Sequence, residues 1–198
     1  MSKYDTEVDY WRKLLHTRTV PPSPDGRFLK HLCVDADYFA GKRVLEVGAG
    51  PLGWGLDFTG CEWHVLDPLV DAYRRMGYRL VEKFTYHEGY AEEMPFADGE
   101  FDAVVAFNSL DHVDDFEQTC AEIVRVCSGV IRVELHYHDA WECEPMVLTD
   151  ERVRAAFPAS VKKLIERPFG ETFFPGHPVS PSYDGTVALW SDDTTLIL

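Results

Sequence analysis

Short apolar runs and segments with helical spacing alternate along the chain. The apolar runs predict strands, because strands buried on both faces of a parallel sheet read as short continuous apolar stretches. Segments in which apolar residues recur every three or four positions predict helices between them. The predicted strands are Arg43–Val47, Glu62–Leu66, Phe84–His87, Asp102–Phe107 and Val130–His136. The predicted helices cover residues 5–16, 27–33, 69–82 and 114–126, with one more that starts near Leu52.

The end of the chain breaks this alternation. Val161–Ile165 and Thr186–Trp190 predict two more strands, joined by a segment rich in proline, glycine and aromatic residues instead of a long helix. Such a pair is expected to close the sheet in an antiparallel manner. We therefore predict one α/β domain, a three-layer sandwich whose mostly parallel seven-stranded sheet ends in an antiparallel strand. Residues 1–40 are expected to form a helical cap on a core of residues 41–198.

The charge of the chain argues against nucleic acids and anionic membranes as partners. The 198 residues carry a formal net charge of −15, so the surface repels phosphate backbones and anionic membranes. The N-terminus lacks an apolar signal region, and no apolar stretch is long enough to span a bilayer. We expect a cytoplasmic protein with a small-molecule partner, no nucleic acid and no membrane; a homodimer stays open as an alternative.

A glycine-rich loop follows the first predicted strand in the sequence VLEVGAGPLG, with glycines at Gly48, Gly50 and Gly53. This G-x-G-x-x-G spacing, with Asp67 closing the second strand, is typical of a site for an adenosine-containing ligand, because a carboxylate there accepts hydrogen bonds from ribose hydroxyls. Glu46 lies just under the loop. Its negative charge disfavours the pyrophosphate of a dinucleotide and suits the cationic amino and sulfonium groups of S-adenosylmethionine.

The run EGYAEEMPFADGEFDAVVAFNSLDHVDD, from Glu88 to Asp115, extends the pattern. Together with VLEVGAG and HVLDP it resembles the class I S-adenosylmethionine-dependent methyltransferases, in particular the broad subgroup with G-D-A-E-x-L-P-F, S-F-D-x-V and H-V motifs. The resemblance covers about half of the chain, from Lys42 to Val133. It implies a Rossmann-like fold, S-adenosylmethionine as cofactor and methyl transfer to a small molecule. It says little about which molecule.

The resemblance also implies roles for individual residues. The methionine end of the cofactor is expected near Glu46, Gly48, Gly50 and Asn108, and the ribose near Asp67. Pro68 and Leu69 are expected to pack on the adenine, with Ala91 and Glu92 beside its ring.

Two positions depart from the family pattern. Leu52 stands where the family has a third glycine, which here is Gly53. Tyr90 stands where an aspartate commonly accepts the adenine amino group, so that contact passes to Glu92 or is lost.

Three histidines are the candidates for catalysis. His112 follows the fourth strand, and His136 and His138 alternate along the end of the fifth, where ligands of open α/β sheets bind. A histidine is suited to proton transfer near neutral pH, which oxygen and nitrogen nucleophiles require. The run ELHYHDAWECE, from Glu134 to Glu144, contains metal-compatible side chains but matches no known metal motif, so no metal is predicted.

Aromatic side chains are candidates for the walls of the substrate pocket. Tyr10 and Trp11 lie in the first helix and are expected to fold over the cofactor, and Phe174 and His177 lie in the C-terminal loop. Two alternative functions remain. One is a nicotinamide-dependent oxidoreductase; the other is a non-catalytic protein that binds the cofactor and acts through a partner.

Overall fold

The fold is built around one seven-stranded sheet. The structure is a computed structural model that describes residues 3–17, 26–140, 144–168 and 185–197. The strand order across the sheet is β3-β2-β1-β4-β5-β7-β6. The strands are β1 (Arg43–Val47), β2 (Glu62–Asp67), β3 (Phe84–Glu88), β4 (Phe101–Phe107), β5 (Cys127–Tyr137), β6 (Lys162–Pro168) and β7 (Thr186–Ser191).

Five helices accompany the sheet within the described part of the chain. None of them is both long and apolar enough to cross a membrane. The helices are α1 (Lys3–Thr17), α2 (Arg27–Leu32), α3 (Val70–Met76), α4 (Phe116–Val126) and α5 (Asp150–Ala156).

The strand directions confirm the predicted fold class. Strands β1 to β5 pair in parallel, and β7 is antiparallel to both of its neighbours, β5 and β6. Because β1, β2, β4 and β5 run the same way, the loops that follow them meet at one edge of the sheet. This edge is where open α/β sheets hold their ligands.

Apolar side chains alternate between two cores, one on each face of the sheet. In β1, Leu45 and Val47 belong to the core that also includes apolar residues of α4 and α5. Val44, which precedes Leu45, faces the opposite core, which includes Leu32 of α2 and Phe58. The strands are therefore covered on both faces, which explains their continuous apolar sequences.

The helix predicted to start near Leu52 is wrong. The structure has only a 3₁₀ turn at Gly55–Asp57 in this place. Gly53 has a φ of +60°, and a Cβ on Gly55 would lie 2.3 Å from the Trp63 indole. These glycines let the chain turn tightly against β2, and glycine is a poor helix former.

Other element boundaries differ less. The helix predicted over residues 69–82 ends at Met76, because Gly77 adopts the left-handed conformation (φ 95°) that terminates helices. Helix α5 is not predicted by the pattern at all. Its N-cap, Thr149, accepts a hydrogen bond from the backbone N–H of Arg152, a signal that a seven-residue helix gives only weakly.

A buried arginine joins three distant segments. Arg132 on β5 is fully buried, and its guanidinium donates to the backbone carbonyls of Leu32, Asp193 and Thr195. It therefore fixes the end of α2 and the segment after β7 on the same face of the sheet. Carbonyls at a helix C-terminus favour a cation. The division into a cap of residues 1–40 and a core stays a prediction.

Candidate functional site

The glycine loop after β1 fits closely against the loop after β4. Gly48 has a φ of +71°, and a Cβ there would lie 2.5 Å from the Cβ of Ser109. The Ser109 hydroxyl donates to the carbonyl of Val47 at 2.7 Å. A side chain at position 48 would therefore both strain the backbone and push the two loops apart.

Glu46 is buried directly beneath this loop. Both carboxylate oxygens lie 3.0 Å from the backbone nitrogen of Trp54, and Oε2 also accepts from the Trp63 indole at 2.7 Å. Burial raises the pKa of Glu46 to about 7, against the lowering effect of these hydrogen bonds, and the nearby charge of Asp67 adds to the rise. Glu46 thus holds the chain after the glycine loop and places a titratable charge under it.

Asp67, at the end of β2, also holds the glycine loop by hydrogen bonds. Its Oδ2 accepts from the backbone N–H of Gly50 at 2.9 Å, and its Oδ1 accepts from that of Leu69 at 2.8 Å. Burial raises the pKa of Asp67 to about 6, although these backbone hydrogen bonds lower it. Pro68 and Leu69 follow at once and lead into α3, so they lie beside the carboxylate; their packing on an adenine stays a prediction.

The loop after β3 approaches the start of α4. Ala91 is buried, whereas Tyr90 is exposed and its ring lies 5.7 Å from that of Tyr4 on α1. The carboxylate of Glu92 accepts from the backbone nitrogens of Asp114 and Asp115 at 2.6 and 3.2 Å. In this structure the Glu92 carboxylate therefore stabilises the backbone just before α4.

Asn108 marks the end of β4 with a special conformation. Its φ is +45°, the left-handed region that favours glycine and that asparagine tolerates better than most other residues. Its backbone N–H donates to the carbonyl of Glu134 on β5 at 3.2 Å. The chain leaves the sheet here, between the glycine loop and the histidines.

Helix α1 lies over this edge of the sheet. A Cβ on Gly50 would lie 2.8 Å from the Trp11 ring, so this indole covers the glycine loop. The Tyr78 hydroxyl donates to the carbonyl of Trp11 at 2.6 Å. At the other end of the helix, Lys3 forms an ion pair with Asp114 at 2.7 Å. Tyr10 is exposed and makes an edge contact with Trp11.

The three predicted histidines meet around a buried carboxylate, Asp111. Its Oδ2 lies 2.9 Å from Nε2 of His138 and 3.9 Å from Nδ1 of His136, and its Oδ1 lies 3.9 Å from Nε2 of His112. Glu144 joins them, 3.6 Å from both His112 and His138. The side chains come from the loop after β4, the end of β5 and the segment before α5.

The environment separates the charge states of these histidines. Burial lowers the pKa of His136 to about 4, which outweighs the charge of Asp111. Burial also acts to lower the pKa of His112, but the carboxylates of Asp111, Glu7 and Glu144 raise it to about 9. For His138, the opposing effects of burial and the Asp111 hydrogen bond give a raised pKa. At neutral pH the imidazole of His136 is therefore neutral and that of His112 is cationic.

Several residues of this region are not selected by sequence reasoning. Asp111 and Glu144 lie 33 positions apart, and only the fold brings them together. Glu7 reaches the region from α1, with Oε1 2.7 Å from Nδ1 of His112. The closest sequence signal is the alternation that puts His136 and His138 together, with ring centroids 4.4 Å apart. Phe174 and His177, predicted to line the substrate pocket, lie outside the described residues.

The chain is similar in sequence to known methyltransferases and to an uncharacterised protein. A family profile described as a methyltransferase domain matches residues 45–129. An uncharacterised protein of Mycobacterium tuberculosis is 32% identical over 111 residues, which cover 52% of this chain and 39% of that protein. The methyltransferase GfsG of Streptomyces halstedii is 30% identical over 110 residues, 50% of this chain and 39% of GfsG. The chain thus spans well under half the length of the curated relatives it matches.

Solved structures share the fold over most of the chain. A chain from the complex between the Haloferax volcanii Trm112 methyltransferase activator and a methyltransferase superposes with a TM-score of 0.66 and 16% identity, covering 96% of this chain and 97% of that one. Phosphoethanolamine N-methyltransferase 2 of Haemonchus contortus, solved in complex with S-adenosyl-L-methionine, gives a TM-score of 0.57 and 15% identity, covering 85% of this chain and 53% of its own. The comparisons confirm the predicted fold, and the methyltransferase-domain match in the middle of the chain agrees with the predicted family, enzyme class and cofactor.

Proposed function

We propose that this chain transfers a methyl group from S-adenosylmethionine to a small-molecule acceptor, since residues 45–129 match a methyltransferase domain and the fold is that of solved methyltransferases. The observation that carries the proposal is the arrangement of Asp67 and the glycine loop. A buried carboxylate at the end of β2 faces a loop that has no side chain at Gly48 or Gly50. This arrangement suits a ribose next to a ligand that approaches the backbone closely.

The nature of the charges favours S-adenosylmethionine over a dinucleotide. Two buried carboxylates, Glu46 and Asp67, hold the loop, and the charge of Asp67 contributes to the raised pKa of Glu46. The carboxylate of Glu46 under the loop would repel a pyrophosphate, whereas a ligand with an ammonium and a sulfonium group is attracted. The glycine spacing and Asp67 are compatible with a nicotinamide dinucleotide, and Glu46 is the residue that disfavours it.

The chain's residues would bind the cofactor in two regions. We place the methionine end near Glu46, Gly48, Gly50 and Asn108. We place the adenosine near Asp67, Pro68 and Leu69, with Ala91 and Glu92 at the adenine. Trp11 covers Gly50 and would exclude water from the bound cofactor, with Tyr10 beside it.

The acceptor would bind over the ends of β4 and β5. When bound, S-adenosylmethionine supplies a methyl group on a leaving group that is already activated, so the protein's work is mainly alignment and exclusion of water. His112, His136 and His138 lie beyond Asn108 at this edge, and they are the candidates for contacting the acceptor.

The surface charge supports a small acceptor that is neutral or cationic. With 34 acidic and 19 basic residues, the protein repels nucleic acids. A protein acceptor, or a non-catalytic role through a partner, is the second candidate, because a chain of similar fold was solved in a complex with a methyltransferase activator.

Transfer of labelled methyl groups tests the proposal. The protein is incubated with methyl-labelled S-adenosylmethionine and a cell extract, and label is then measured separately in small molecules, protein and RNA. We expect label in small molecules, and its loss in Asp67→Ala. The control is Asp71→Ala on α3, whose carboxylate is half exposed and pairs with Arg74. Label in protein or RNA would contradict the small-molecule acceptor, and cofactor binding without transfer would favour the non-catalytic role.

A further inference from the structure

Four potential metal ligands converge at the carboxyl edge of β4 and β5. Asp111, His136, His138 and Glu144 each offer one ligand atom, and these atoms all lie within 4.8 Å of one another. We propose that these four side chains bind a divalent transition metal ion of the zinc type. The sequence alone predicts no metal here, because the ligands belong to no motif and come from three separate segments.

The distances between donor atoms suit one shared ion. Zinc binds imidazole nitrogen and carboxylate oxygen at about 2.0–2.2 Å, so neighbouring ligands of a tetrahedral site lie about 3.3–3.6 Å apart. Here Asp111 Oδ2 lies 2.9 Å from His138 Nε2 and 3.9 Å from His136 Nδ1. His138 Nε2 lies 3.6 Å from Glu144 Oε2. These separations bracket the expected value, so an ion fits with small side-chain movements.

The orientation of His138 directs the lone pair of its Nε2 atom into the cluster. Its Nδ1 lies 2.5 Å from the backbone carbonyl of Asp139, which can only accept a hydrogen bond, so Nδ1 carries the proton. An outward N–H held by a backbone carbonyl is the usual arrangement of a metal-binding histidine. The inward Nε2 then faces the Asp111 carboxylate, and either a proton or a cation must lie between them.

Burial makes a shared cation favourable. Asp111 and Glu144 are both buried, at 1% and 5% exposure, and two carboxylates so close together are costly without positive charge between them. Asp111 Oδ1 accepts no hydrogen bond within the described part of the chain, although it is shielded from solvent. One divalent ion would balance the two carboxylates while leaving the ligand imidazoles of His136 and His138 neutral, the form in which histidine binds metals.

His112 completes the surroundings without being one of the four ligands. Its Nε2 lies 3.6 Å from Glu144 Oε1 and 3.9 Å from Asp111 Oδ1, so it faces the carboxylate oxygens turned away from the cluster. Its Nδ1 lies 2.7 Å from Glu7 on α1. Groups in such positions orient carboxylate ligands, and here they also connect the site to α1.

Metal titration of the full chain tests the proposal. The protein is treated with a chelator, dialysed, and titrated by calorimetry with Zn²⁺ in the absence of any cofactor; Co²⁺ is added in parallel to record its visible spectrum. We expect one Zn²⁺ per chain and a Co²⁺ spectrum of four-coordinate type. Glu144→Gln and His138→Ala should each weaken Zn²⁺ binding at least tenfold, since each removes a ligand.

Two matched variants serve as controls. Glu134→Gln and His31→Ala change a buried carboxylate and a buried histidine that pair with each other at 3.3 Å, outside the four ligands. They should bind Zn²⁺ like the unmodified protein. Circular dichroism confirms that each variant is folded, and thermal unfolding gives a second measure, because Zn²⁺ should raise the unfolding temperature only where all four ligands are present.

Two results would overturn the proposal. One is the absence of stoichiometric Zn²⁺ binding by the unmodified chain, and the other is unchanged binding in folded Glu144→Gln and His138→Ala variants. Because no cofactor is present, either result leaves the proposed methyl transfer untouched, and failure of cofactor binding would likewise leave the metal site intact.

Discussion

Replacing Glu46 with glutamine should change how the stability of the protein depends on pH. Burial raises the pKa of this carboxyl from 4.5 to about 7 in the folded state. The folded protein therefore binds a proton more tightly than the unfolded chain, and Glu46 makes the folded state less stable as pH rises through this window. From the two pKa values, the loss between pH 5 and pH 8 is about 2–3 kcal/mol.

Urea unfolding at pH 5, 6, 7 and 8 measures this effect. The absolute stability of Glu46→Gln also reflects its altered hydrogen bonds to Trp54 and Trp63, but that contribution does not change with pH. Relative to the unmodified protein, the variant should therefore gain about 2–3 kcal/mol of unfolding free energy between pH 5 and pH 8. Glu93→Gln, an exposed carboxyl, is the control and should show no such gain. A stability difference that stays constant from pH 5 to pH 8 would refute the buried, proton-binding state of Glu46.

Three further predictions concern the same structure. S-adenosylhomocysteine should bind about tenfold more tightly at pH 8 than at pH 6, measured by calorimetry, because its ammonium group favours ionised Glu46, and Glu46→Gln should remove that dependence. Gly48→Ala should lower the free energy of unfolding, measured by thermal unfolding, by about 2 kcal/mol or more, and Gly99→Ala should lower it less. Both glycines have a φ above +60°, but of the two only Gly48 would bring a Cβ within 3 Å of another side chain. Arg132→Met should lower the free energy of urea unfolding by about 3 kcal/mol, since three carbonyls lose their donor. The control is Arg154→Met, which changes an exposed arginine and should lower this free energy by less than about 1 kcal/mol. Equal losses in the two variants would contradict the role of Arg132.

The sequence predicts the strands well because their physics is local. Arg43–Val47 is predicted with the same limits that the structure gives, and the other core strands differ by at most three residues at either end. Each is a short apolar run between turn residues, and the sheet buries such runs on both faces.

The helix after the glycine loop shows where that reasoning fails. A strand followed by glycines favours a helix in a Rossmann-like pattern, but Gly53 and Gly55 pack against aromatic rings of neighbouring strands. That close contact depends on Trp63 and Phe84, which lie on β2 and β3. Tertiary packing, not local propensity, decides the conformation here.

The sequence predicts more of the cofactor region than of the histidine region, again because of local and distant contacts. Asp67 can be selected because it ends a strand at a fixed distance from the glycines. Asp111 and Glu144 cannot, because their meeting requires the ordering of β4 beside β5 and the path of the segment before α5. Alternation along β5 does predict that His136 and His138 lie together, whereas Glu134 turns to His31 on α2.

The measurement that tests the central claim most directly is thermal unfolding in the presence of S-adenosylhomocysteine and, in parallel, NADH. A ligand at a hundred times its dissociation constant adds about 2.7 kcal/mol to the free energy of unfolding. For a domain of this size that corresponds to about 5–10 °C. We expect this shift with S-adenosylhomocysteine alone, and its loss in Asp67→Ala. A shift with NADH and none with S-adenosylhomocysteine would contradict the account.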